Sequence, residues 1–264
     1  MSRAFSGERH IIYQYIDNFP KVKYILTGEC MKKKKRVIEE LARKYRDGAT
    51  PFCRHFGECG GCLFQDISYE NQLALKAEYL RGELGGVCDV GQVRPSRPFG
   101  YRGRMDMVTA FGKAGLRRRG SYRRVVDIES CDIMQERSNE VFKSIRPLIA
   151  EIEDYDYLAH QGYLRYVVLR QGMYTGQLML NFVVASRENS LDGVIDALPE
   201  RVDSVSLLLS DGRADVSFGE VFETVRGGTI EERLGDLRFS IAPNSFFQSN
   251  SSIALCMYEG IRSM

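Results

Sequence analysis

The sequence predicts an α+β fold in which antiparallel sheets are flanked by helices and a cysteine-bearing loop lies between two of those helices. Three observations predict it. Amphipathic helical periods occupy much of the stretch up to about residue 84, and from Tyr101 the pattern switches to two-residue alternation. No Gly-rich turn joins a strand to a helix as a doubly wound parallel sheet would require. The 264 residues suffice for one or two domains, and 44% hydrophobic with 27% charged residues excludes wholesale disorder.

Lys33 to Asp47 reads as a helix with Val37, Ile38, Leu41 and Tyr45 on one face, ended by Gly48 and Pro51. A cysteine-rich loop, Cys53 to Cys62, follows. A second helix is expected from Ser68, as its N-cap, to Leu84, on a stripe of Leu73, Ala77, Leu80 and Leu84. Pro95, Pro98 and Gly100 mark a loop. Met105, Met107, Thr109 and Phe111 then alternate as a strand, Gly112–Gly115 turns it into a strand at Leu116–Arg119, and Tyr122–Ile128 is the next. Ser138 to Ile152 reads as a helix kinked at Pro147. Leu164–Arg170 and Gln177–Ala185 form an apolar hairpin. Asn189–Ala197 is helical, Ser204–Ser210, Val221–Val225 and Leu237–Ile241 are extended, and Asn250 to Met264 is a last helix. Four regions are expected: a basic helical segment over 1–50, the cysteine loop and its helix over 51–100, a central α+β domain over 101–240, and a new domain beginning at 241–264.

The net charge of +2 conceals segregation. Between Gly91 and Ser130 ten basic residues, including Arg102, Arg104, Arg117, Arg118, Arg119, Arg123 and Arg124, face three acids: Asp106, Asp127 and Glu129. A second basic excess ends in the run Lys32–Arg36, and the remainder of the chain is acidic. Such a field suits a polyanion better than a small neutral ligand. Tyr101, Phe111 and Tyr122 interleave the arginines, the pairing that unstacked RNA bases require. The longest apolar run, Leu178 to Ala185, is broken by Asn181, and a membrane span needs roughly 18 residues. The charged N-terminus lacks a secretory apolar stretch, so a soluble, cytoplasmic protein is expected.

Seven cysteines are present, three of them in Cys53-x5-Cys59-Gly-Gly-Cys62. An odd count without a secretory signal argues against a disulfide framework. Three thiols within ten residues, with Gly57, Gly60 and Gly61 between them, point to metal ligation, with Cys131 as the best fourth ligand and His55 next. One x2 step, one x5 step and a distant single cysteine suit an iron–sulfur cube better than the paired knuckles of structural zinc, which remains the alternative.

These residues resemble the RNA uracil-C5 methyltransferase family, which methylates uridine in transfer or ribosomal RNA from S-adenosylmethionine. The resemblance rests on Cys53-x5-Cys59-Gly-Gly-Cys62 followed by Gln65, Gly100-Tyr101-Arg102 opening a basic strand, Val125–Cys131, and Ile241-Ala-Pro-Asn-Ser-Phe246-Phe247-Gln248-Ser-Asn250, over roughly residues 51–264. It implies a [4Fe–4S] cluster on Cys53, Cys59, Cys62 and Cys131. It also implies that Gln248 faces the S-adenosylmethionine and base pocket, with Phe246 next to the target base. Residues 1–50 depart from the small RNA-binding barrel that usually opens the family.

The family's Rossmann-like S-adenosylmethionine domain is expected to be absent from this chain, along with its nucleophile and general base, so no catalytic residue is assigned here. Cys256, on an apolar helix without an evident base, is not read as that nucleophile. The expected function is therefore the iron–sulfur, RNA-binding portion of such an enzyme, acting on transfer or ribosomal RNA and completed elsewhere or by a separate catalytic chain. The alternatives are a zinc- or iron–sulfur-containing RNA-binding module and a ferredoxin-like electron carrier.

Overall fold

The computed structural model describes residues 28–187 and 191–263. The expectations for residues 1–27, for Asn189 and for Met264 lie outside the described residues. Five helices are described: α1 (Gly28–Tyr45), α2 (Tyr69–Leu84), α3 (Glu136–Ile149), α4 (Asp192–Asp196) and α5 (Ser251–Arg262). The strands are β1 (Arg104–Ala110), β2 (Lys113–Arg118), β3 (Ser121–Asp127), β4 (Leu164–Gln171), β5 (Leu178–Val184), β6 (Ser204–Leu209), β7 (Glu220–Arg226), β8 (Ile230–Leu234) and β9 (Leu237–Ile241).

β1 to β7 form one sheet in the order β3-β2-β1-β4-β5-β6-β7, and β8 pairs with β9 in a separate hairpin. Every residue of β5 is buried, as are seven of the eight in β4, which is why these strands read as continuous apolar runs. One face of the sheet carries Met105, Met107, Val167, Leu169, Leu180 and Phe182 against Val141, Phe142, Ile145 and Ile149 of α3. The other carries Val108, Tyr166, Val168, Val183 and Leu208. The mixed α/β architecture with a large, mostly antiparallel sheet agrees with the expected class, with one departure. β5 and β6 run parallel, and parallel neighbours need a crossover of about a dozen residues or more. The segment 185–203 supplies it, anchored by buried Leu191, Val194 and Leu198.

Other expectations are corrected in detail. α1 begins at Gly28 and ends at Tyr45. It is tied to α2 by Lys44 Nζ and the Tyr45 hydroxyl, both donating to Glu78 at 2.6 Å. In α2 the buried residues are Leu75 and Ala77, while Leu80 and Leu84 are exposed, so the apolar face is rotated from the expected stripe. Ser68 does not cap α2 with its side chain; its N–H donates instead to Asp47 Oδ1 at 3.1 Å. Phe111 lies in the β1–β2 turn at φ 59°, and β2 starts at Lys113 rather than Leu116. β8 is a strand that the sequence pattern does not signal. Its inward residues are Ile230, Glu232 and Leu234, and a buried glutamate hides the alternation.

Candidate functional site

The cysteine loop is zipped onto β2 by backbone hydrogen bonds. Gly60 N–H donates to Arg117 O at 3.0 Å and Arg119 N–H to Glu58 O at 2.8 Å. A Cβ on Gly60 would lie 3.0 Å from that same Arg117 oxygen, so the close approach needs glycine. Within the loop, Cys53 N–H donates to Gln65 Oε1 at 2.9 Å and Cys59 N–H to His55 O at 2.9 Å. Cys131, four residues past β3, is held from α3: its N–H donates to Asn139 Oδ1 at 2.8 Å, and Asn139 Nδ2 donates to Cys131 O at 3.0 Å.

The consequence is that Cys53, Cys59, Cys62 and Cys131 line one small cavity, together with His55, Gln65 and Asp132. Cys131 is therefore not remote from the loop. Burial pushes its thiol up to about 12, and burial also raises Cys53 and Cys59. Among the described residues no group of three His, Cys, Asp or Glu side chains is placed to hold a metal ion.

Gly61, Leu116 and Ile133 are common to this cavity and to a larger open cleft beside it. Arg102, Arg117, Arg118 and Arg119 line the cleft, facing a wall formed by Asp215, Val216, Ser217 and Phe218. The arginines differ in what they already hold. Arg104 pairs with Asp106 at 2.8 Å, and Arg117 pairs with Asp215 at 2.8 Å while stacking on Tyr157. Nε and Nη1 of Arg117 are nevertheless buried without a hydrogen-bond partner. Arg119 donates to Cys62 O and lies over Phe56. Arg102 Nε donates to Arg104 O at 2.9 Å, Arg118 has only Glu58 at 4.0 Å, and Arg123 and Arg124 are exposed on β3.

Two arginines that sequence reasoning missed organise the loops around the cleft. Arg165, fully buried in β4, donates to the carbonyls of Ser210, Gly212 and Ala214, and stacks on Tyr155. Arg170, also in β4, donates to Ala242 O at 2.9 Å, Pro243 O at 3.1 Å and Ser245 O at 2.6 Å. Burial lowers the Arg170 guanidinium to about 10, so it stays charged at neutral pH. On the loop that it holds, Phe246 is 85% exposed, and Gln248 lines a small cavity with Arg104, Arg170 and Glu232. Buried Glu232 accepts from Met173 N–H at 2.7 Å, Tyr174 N–H at 3.0 Å and Ser251 Oγ at 2.6 Å, fixing β8 to the β4–β5 turn and to the start of α5. Their only sequence signal is a charged residue inside an otherwise apolar or alternating strand.

No family model matches the chain. The tRNA (uracil(54)-C(5))-methyltransferase of Pyrococcus furiosus is 35% identical over 240 residues, covering 90% of this chain and 57% of that protein. The Pyrococcus horikoshii enzyme of the same name is 36% identical over 212 residues, covering 79% and 51%. The crystal structure of Pyrococcus abyssi tRNA (uracil-54, C5)-methyltransferase in complex with S-adenosyl-L-homocysteine superposes with a TM-score of 0.69 at 32% identity, covering 78% of this chain and 50% of that one. The homologues of this chain are RNA methyltransferases. The chain spans about half the length of the curated relatives it matches.

For this methyltransferase homologue the expected function is corrected. An iron–sulfur RNA-binding portion, a zinc- or iron–sulfur-containing RNA-binding module and an electron carrier are each overturned as the chain's function by alignments to tRNA uracil-C5 methyltransferases that take in 79–90% of the chain, and no group among the described residues is placed to hold a metal ion. The expected absence of an S-adenosylmethionine domain is not borne out either, since the superposed relative is an S-adenosyl-L-homocysteine complex. A separate catalytic chain finds no support in these relatives. No helix among the described residues is long and apolar enough to cross a membrane.

Proposed function

We propose that this chain acts in S-adenosylmethionine-dependent methylation of uracil C5 in tRNA, in the cytoplasm. The observation that carries the reading is the likeness, at 32% identity and a TM-score of 0.69, to a tRNA uracil-C5 methyltransferase solved with S-adenosyl-L-homocysteine. The arginine-lined cleft supports it independently, because a strip of cations beside exposed aromatic rings is what a structured RNA needs.

In this reading Arg102, Arg118, Arg119, Arg123 and Arg124 contact phosphates. Arg104 and Arg117 contribute charge while holding Asp106 and Asp215. A base that is to be methylated leaves its stack, and Phe246, exposed on a loop fixed by Arg170, offers it a flat apolar face. Gln248 faces the methyl donor and base pocket; its amide both donates and accepts, which suits recognition of a uracil edge. When bound, S-adenosylmethionine supplies an electrophilic methyl group.

Cys53, Cys59, Cys62 and Cys131 are proposed as the ligands of a [4Fe–4S] centre. Four thiols lining one cavity supply the number and kind of donors that such a cluster takes. The centre would cross-link the 53–62 loop to the segment after β3. Buried, protonated thiols must lose their protons to bind it.

The test incubates the intact gene product with methyl-labelled S-adenosylmethionine and an unmodified tRNA transcript, then digests the RNA to nucleosides. Label in 5-methyluridine is expected; label elsewhere, or none, overturns the reading. Anaerobically purified protein is expected to be brown, with Cys131→Ser losing most of the iron and the visible absorbance. A colourless wild type overturns the cluster assignment alone.

A further inference from the structure

Between β6 and β7 the chain makes a surface excursion, residues 210–219, that is held far more firmly than an exposed loop needs. Arg165 takes three of its carbonyls, those of Ser210, Gly212 and Ala214. Asp215 accepts from the Tyr166 hydroxyl and from Arg117, and Ser217 Oγ donates to Asp106 Oδ2 at 2.5 Å. Gly219 passes so close to β6 that a Cβ would lie 2.0 Å from Leu209 O. Its own carbonyl accepts from Asn244 Nδ2 at 2.7 Å, two residues before Phe246. The loop is thus fixed at both ends and in the middle, and it is joined to the loop that carries Phe246.

What this clamping presents is Phe218, a ring left 58% exposed that lines the same cleft as Arg118 and Arg119. An aromatic residue in a core would be covered, and one on a loose loop would carry an entropic cost of ordering. A fixed, exposed ring opposite guanidinium groups is instead a stacking platform for an unpaired base. The two carboxylates that line the cleft with it, Asp106 and Asp215, are each already paired with an arginine.

We propose that residues 210–219 form the outer wall of the RNA cleft and that Phe218 stacks a nucleobase other than the one brought to Phe246. This rests on the RNA-binding reading above and adds a second base subsite to it. The occupant is a single-stranded or looped RNA segment whose phosphates run along Arg118 and Arg119, so the base on Phe218 is recognised by its face and not by its edge.

The test measures binding of the whole chain to a fluorescently labelled, unmodified tRNA transcript across a salt series, for the wild type, Phe218→Ala and Phe218→Tyr. Phe218→Ala is expected to weaken binding about tenfold, Phe218→Tyr to restore it, and the salt slope to stay the same in all three, because stacking removes no phosphate contact. Equal affinity of Phe218→Ala and wild type overturns the proposal and assigns the exposed ring to some other contact, such as a protein surface. A lower slope in Phe218→Ala also overturns it, since the ring would then be holding the arginines in place. A wild type that binds no tRNA refutes the RNA reading itself, a result distinct from both.

Discussion

Arg165 and Arg170 enter β4 as charges inside an apolar strand, and each is compensated by backbone carbonyls instead of a carboxylate. Buried donors aimed at several carbonyls leave those oxygens unsatisfied when removed, so Arg165→Met is expected to cost about 3 kcal/mol in chemical denaturation. Arg170→Met is expected to cost a similar amount and in addition to loosen the Phe246 loop, read as faster amide exchange over 242–248. Cys131 supplies a pH prediction. Its folded thiol titrates at about 12 against an ordinary 9.0, so the protonated form is favoured by folding. That contribution is complete below pH 9 and is lost as pH rises toward 12. In metal-free protein the stability difference between wild type and Cys131→Ala should shrink across that window; a constant difference would contradict the burial argument. At this scale the sequence singled out four cysteines, three of them crowded into one glycine-rich loop, and the fold brings all four to one cavity. It did not reveal that Arg117 is already paired, because its partner Asp215 is distant in sequence and only the fold brings it near.

Helices and strands were legible where the local pattern agreed with the tertiary role. β4 and β5 are apolar because both faces are covered, and α3 has the period of a helix lying on a sheet. Legibility failed where tertiary contacts overrode the pattern. Glu232 broke the alternation of β8, α2 buried Leu75 and Ala77 while Leu80 and Leu84 of the expected stripe are exposed, and the parallel pairing of β5 with β6 depends on a crossover with little periodicity of its own. Gly115 in β2 shows how close the strands carrying the basic residues run. A Cβ there would lie 2.0 Å from Val126 O, so Gly115→Ala is expected to disrupt the β2–β3 register at a cost of about 2 kcal/mol. Gly86→Ala, where a Cβ meets nothing within 4 Å, is the matched control and should leave the melting temperature unchanged.

Across the whole molecule, one strand, β4, holds two loops by buried arginines; the loop held by Arg165 borders a cleft also lined by the cysteine loop and β2, and the loop held by Arg170 carries Phe246 and Gln248. The cysteine cavity and the cleft share Gly61, Leu116 and Ile133 as lining residues. Ordered motifs along the sequence were enough to place the chain near RNA uracil-C5 methyltransferases. The central claim is that this cleft grips RNA through its phosphates. The salt dependence of tRNA binding tests it most directly, comparing wild type with Arg118→Ala and Arg123→Ala, two side chains exposed at the surface. A steep linear fall of log K with log salt is predicted, its slope reduced by about one in each variant. Affinity indifferent to salt, or slopes unchanged by both substitutions, would contradict it.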